Sequence, residues 1–143
     1  MDNDRIERDI FINASLQTVW ELISQPAWWV GDAPGPDNVQ VDGSRVVADT
    51  KYGKFPVLIE QSEPPNYLAC RWASTFPGED PQEGNSTLVE FKLTAKDGGT
   101  LLSVVESGFS NLVLSGIERS KFYKENVNGW GIQMEVLRKR AEQ

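Results

Sequence analysis

The chain has 143 residues, 39% of them hydrophobic, the size and composition of one folded domain with its own core. Its formal net charge is −7, from 21 acidic and 14 basic residues, so it repels a phosphate backbone and is not expected to bind nucleic acid. It holds no histidine and one cysteine, Cys70, which excludes Ser-His-Asp and Cys-His nucleophile systems, His/Cys zinc sites and an internal disulfide.

The first residues, Met1-Asp2-Asn3-Asp4-Arg5, lack the apolar run of a signal peptide, and no stretch approaches the ~20 apolar residues of a membrane span. A cytoplasmic protein without a membrane span is expected. Arg5 to Ile12 reads as a strand, with Ile6, Ile10 and Ile12 on one parity. Ser15 is then an N-cap for a short helix whose Leu16, Val19, Trp20 and Ile23 share one face. Pro26 ends that helix. Ala27-Trp28-Trp29 has the look of a second short turn of helix, on which two adjacent Trp side chains cannot both face inward.

Gly31 to Asp37 is a loop by composition. Asn38 to Val41 and Arg45 to Thr50 are strands around an Asp42-Gly43 hairpin signal. After Tyr52-Gly53, Lys54 to Gln61 places Phe55, Val57 and Ile59 on one face. Pro64-Pro65-Asn66 breaks the run, and Tyr67 to Ala73 resumes it, Leu68, Cys70 and Trp72 alternating with Ala69 and Arg71. Phe76 to Asn85, rich in Pro, Gly and acids, reads as a mobile loop. Thr87 to Ala95 alternates Val89, Phe91 and Leu93 against Glu90, Lys92 and Thr94; Asp97-Gly98-Gly99 turns the chain into Leu101 to Ser107.

The period then changes. Tyr123, Val127, Trp130, Met134, Leu137 and Ala141 fall on one stripe of a helix of about 20 residues. Such a helix needs a partner surface, and the sheet is the only one large enough. The expected fold is therefore α+β: a curved antiparallel sheet of six to seven strands wrapped around a long C-terminal helix, with two short helices after the first strand. Arg138-Lys139-Arg140 suits the negative end of that helix. Gly129 and Gly131, costly inside a helix, suggest close approach of the helix to its neighbours.

Several segments carry a family resemblance over roughly Ile6 to Leu137. They are Ser15-Leu16-Gln17-Thr18-Val19-Trp20 with Pro26-Ala27-Trp28-Trp29; Thr87 to Phe91; Gly99-Thr100 leading into Val104-Val105-Glu106-Ser107-Gly108-Phe109; and Asn128-Gly129-Trp130. In their order and spacing the chain resembles the activator of heat-shock protein 90 ATPase-like group, within the START and pollen-allergen superfamily of helix-grip folds. The resemblance implies one START-like domain over 1–143 with a cavity between sheet and helix. Members use it for lipid or hormone carriage, polyketide cyclisation or co-chaperone action. It brings no universal catalytic motif, metal or cofactor.

If such a cavity exists, Trp29, Phe55, Val57, Trp72, Val89, Phe91, Val104, Phe109, Tyr123, Trp130 and Met134 are candidates to line it, and for any one of them core is the plainer reading. An empty void of about 300 Å³ would cost about 7 kcal/mol at ~24 cal/mol per Å³, comparable to the whole stability of a domain. A ligand or water therefore fills it, or aromatic side chains collapse into it. Glu106 shares parity with Leu102 and Val104; if that face is the inner one, its carboxylate enters an apolar pocket as acid, base or hydrogen-bond anchor. The expected function is non-covalent binding of an apolar, lipid-like small molecule. The alternatives are a protein-interaction or co-chaperone-like module, as monomer or homodimer, and a cavity enzyme of lyase or cyclase type using Glu106 or Tyr123.

Overall fold

The computed structural model describes residues 4–30, 39–50, 53–74, 76 and 78–143. The loop expected at Gly31 to Asp37 lies outside them. Among the described residues the chain runs β1 (Arg5–Ile12), α1 (Leu16–Ile23), α2 (Ala27–Val30), β2 (Val39–Asp42), β3 (Arg45–Thr50), β4 (Gly53–Glu63), β5 (Tyr67–Trp72), β6 (Thr87–Lys96), β7 (Gly99–Ser107), a single 3-10 turn (Phe109–Asn111) and α3 (Gly116–Ala141). The strands form one antiparallel sheet in the order β1-β7-β6-β5-β4-β3-β2. This is the expected helix-grip architecture.

Local chemistry explains the element ends. Ser15 Oγ accepts from the Thr18 backbone N–H at 3.2 Å and caps α1. The β6–β7 hairpin turns on Asp97 and Gly98 alone, both at positive φ (48° and 82°), the two-residue turn whose twist matches the strands. Gly99 then opens β7 where a Cβ would lie 2.5 Å from the Ile12 carbonyl oxygen. The β4–β5 register shifts between Ile59 and Gln61, a bulge that bends β4. The inner faces of β4 to β7 supply Val57, Leu68, Cys70, Val89, Phe91, Leu102 and Val104, all essentially inaccessible, and α3 lays Trp130, Met134, Leu137 and Ala141 over them.

Three expectations need correction. The last helix has 26 residues, not about 20. It starts at a capping box in which Ser115 Oγ accepts from the Glu118 N–H and Glu118 accepts from the Ser115 N–H, a hydrogen-bond pattern that starts a helix before any apolar stripe begins. Gly129 and Gly131 do not serve close packing, because a Cβ at either meets nothing within 4 Å. The segment read as a mobile loop has neither helix nor strand among its described residues, yet it is tied down. Arg45 holds both Asp80 oxygens at 2.7 and 2.8 Å, Gly78 N–H donates to Lys54 O, and the Gly84 carbonyl accepts from Val113 N–H.

The first strand and the last helix are clasped together. Tyr123 Oη donates to the Arg5 carbonyl at 2.8 Å, and the Asn13 N–H donates to Glu142 at 2.8 Å. No helix among the described residues is long and apolar enough to cross a membrane.

Candidate functional site

Between sheet and helix the chain places its own aromatic rings. Trp29 from α2 sits 5.4 Å from both Trp72 of β5 and Phe91 of β6, and 5.9 Å from Trp130 of α3, measured between ring centres. Phe55 adjoins Trp72 at 5.8 Å, and Phe91 adjoins Trp130 at 5.9 Å. These pairs, tilted or edge-on apart from the stacked Trp29 and Trp130, fill the middle of the grip. The adjacent tryptophans of α2 part company as their helical positions require. Trp29 is buried and donates its indole N–H to the Ile23 carbonyl at 3.0 Å; Trp28 is half-buried, with the Arg140 guanidinium 5.2 Å from its ring centre.

Glu106 of β7 points inward and is fully buried. Four groups donate to it. Oε2 accepts from Trp72 Nε1 at 3.0 Å and Thr87 Oγ1 at 2.6 Å; Oε1 accepts from Trp130 Nε1 at 2.8 Å and Asn126 Nδ2 at 3.1 Å. None of the four is charged. Burial pushes the Glu106 carboxyl above its ordinary range, and the four hydrogen bonds pull the other way without cancelling that shift. The set is one-sided: the two indole N–H groups can only donate, and the amide turns its nitrogen to Glu106. Glu106 thus ties the sheet to α3.

Beside this cluster a pocket of about 510 Å³ opens between α2 and α3. Trp29, Trp72 and Trp130 form its inner wall, Val30 and Ile132 add apolar surface, and Asn126 and Gly129 lie on its α3 side. Glu125 and Gln133 stand at its polar margin. Gly129 leaves this space open because it has no side chain to fill it.

Of the residues proposed from sequence, Trp29, Phe55, Trp72, Phe91, Trp130 and Glu106 come together here. Val57, Val89, Val104 and Met134 are buried in the adjoining core. Phe109 and Tyr123 pair with each other at 5.2 Å near the start of α3, and Tyr123 spends its hydroxyl on the Arg5 carbonyl. Sequence reasoning missed Thr87 and Asn126, and took Gly129 for a packing glycine. Thr87 shares inner-face parity with Val89 and Phe91, and Asn126 lies one helical turn before Trp130, so both had a signal. Cys70 is buried, and burial pushes its thiol up to about 12. Among the described residues no group of three or more His, Cys, Asp or Glu could hold a metal ion.

Comparison with known proteins adds a family. The family model described as "Activator of Hsp90 ATPase homolog 1-like protein" matches residues 13–142. Among solved structures, the Aha1 dimer from Colwellia psychrerythraea is similar with a TM-score of 0.71 and 16% identity, over 96% of each chain. Protein MLL2253 from Mesorhizobium loti gives 0.68 and 19% over 94% of each chain. Protein BH1534 from Bacillus halodurans gives 0.68 and 21%, over 97% of this chain and 99% of that one. At these identities the likeness speaks for the fold alone. Among curated proteins none matches.

Proposed function

The chain belongs to the Activator of Hsp90 ATPase homolog 1-like family, whose fold in general houses ligand-binding modules, and we propose that it binds an apolar small molecule non-covalently in the pocket between α2 and α3. The observation that carries this reading is the pocket itself. Its volume of about 510 Å³ falls in the range that small-molecule sites occupy, and its inner wall is tryptophan. The rest of the grip is filled by the chain's own rings, so a ligand sits at this opening and not along the whole helix.

The groups that could do acid–base chemistry support binding over turnover. Glu106 is saturated by four donors, and Tyr123, outside the pocket lining, commits its hydroxyl to the Arg5 carbonyl. Neither is free to meet a substrate in this arrangement.

A second reading, contact with a partner protein, is favoured by Val113 and Ile117, which are 79% and 86% exposed around the start of α3. The similar Colwellia psychrerythraea protein is itself a dimer.

Native mass spectrometry of the purified protein, compared with its denatured mass, separates the two. Extra non-covalent mass supports the ligand reading and identifies the ligand's class. A dimer without added mass supports the contact reading. A bare monomer that also fails to take up any added aromatic compound would overturn the ligand reading.

A further inference from the structure

Resting on the binding reading above, we infer that the pocket takes an amine in its ammonium form, carried on an aromatic or aliphatic body, and turns away carboxylates and other anions. The argument is an inventory of donors and acceptors. Trp72, Asn126 and Trp130 all line the pocket, and all three aim their N–H groups away from it, at Glu106. Both indole donors are thereby used. Asn126 Nδ2 is shared between Glu106 at 3.1 Å and Ser74 Oγ at 3.2 Å. Since its nitrogen makes both contacts, the Asn126 amide oxygen makes neither and is left as an acceptor. Exposed Glu125 adds a carboxylate at the margin.

Charge points the same way. No Lys or Arg lines the pocket among the described residues. Behind the tryptophans lies the buried Glu106 side chain, with no cation among its four partners. Tryptophan rings themselves attract cations. A fatty-acid carboxylate would meet acceptors and negative charge; an ammonium group would meet what it needs.

The test uses three ligands of one shape: 2-naphthylmethylammonium, 2-naphthylmethanol and 2-naphthoate, titrated calorimetrically into the full chain at pH 7 and 0.15 M salt. The expected order is cation tightest, alcohol intermediate and anion weakest, with cation and anion at least tenfold apart. Gly129→Leu, which grows a side chain into open space, should abolish binding of all three. Glu125→Gln should shrink the cation-to-anion ratio severalfold. Raising the salt to 0.5 M should weaken the share of exposed Glu125 by screening and leave the order of the three ligands unchanged. Naphthoate binding as tightly as the cation overturns the charge selection while the pocket reading survives. Cation binding that persists in Gly129→Leu overturns the site. Failure of all three ligands to bind overturns both the selection and the pocket reading.

Discussion

Trp72 and Trp130 belong to different layers, a central strand and the long helix, yet they donate their indole N–H groups to the two oxygens of one carboxylate, at 3.0 and 2.8 Å. The pair cannot be understood from either layer alone. It makes Glu106 the polar tie of an otherwise aromatic interface, and it fixes which edge of each ring the pocket sees.

Glu106→Leu keeps the bulk and removes the acceptor. Four donors are then orphaned in the core, at roughly 1–3 kcal/mol each when buried and unpaired. Rearrangement relieves part of this, so a loss of at least about 3 kcal/mol is expected in urea unfolding. A loss below about 1 kcal/mol would mean that the four bonds contribute little.

The same residue sets a pH dependence. Its carboxyl titrates above the ordinary 4.5 in the folded protein. From 4.5 up to that raised value the folded state holds more proton than the unfolded one, so stability falls as pH rises through this window. Asp80 and Glu135 have the opposite sign: Arg45 and Arg138 hold them below their ordinary 3.8 and 4.5, so their contribution is present above those values and is lost as pH falls. Melting temperature against pH should therefore climb from acid and then decline. In Glu106→Gln the climb should remain and the decline should disappear. An unchanged decline in the variant would assign it to other groups.

Two glycines should respond oppositely to alanine. At Gly129 a methyl meets open space, so removing a helix-interior glycine should stabilise by about 1 kcal/mol. At Gly99 the same methyl lies 2.5 Å from the Ile12 carbonyl and 2.7 Å from the Phe11 ring, so Gly99→Ala should destabilise the β1–β7 pairing. Thermal melts of the two variants moving in the same direction would contradict this.

Cys70 should be silent to thiol reagents at pH 8, since it is buried and its thiol is pushed up to about 12. Labelling should appear only with unfolding, over the same urea range as the loss of tryptophan fluorescence. Rapid labelling of the native protein would show that the sheet opens locally at β5.

Much of this was legible in the sequence, for definite reasons. The β1 isoleucines, the alternation around Phe91 and the stripe from Tyr123 to Ala141 each repeat one period long enough to be read. The inward turn of Glu106 was legible only as parity, because Leu101 and Val105 made the other face look equally apolar. Its four donors come from β5, β6 and α3 and meet only in three dimensions. The first turns of α3 escaped because Ile117 points to solvent and Gly116 breaks the propensity; the Ser115–Glu118 spacing was the signal that remained. Gly129 was misread because composition cannot tell a glycine that admits a neighbour from one that leaves a space.

The strand order has a consequence for how the chain is made. Among the described residues β1 pairs with β7 alone, Arg5 opposite Ser107, while β2 to β6 can zip up as successive hairpins. At roughly 5–20 residues per second of synthesis, the first strand waits several seconds for its partner. The Tyr123 and Glu142 clasps on the first residues form later still. During that interval an edge bearing Ile6, Ile10 and Ile12 has no sheet to join. Its interrupting charges, Glu7, Arg8 and Asp9, then serve the nascent chain by keeping that edge from pairing with the wrong neighbour.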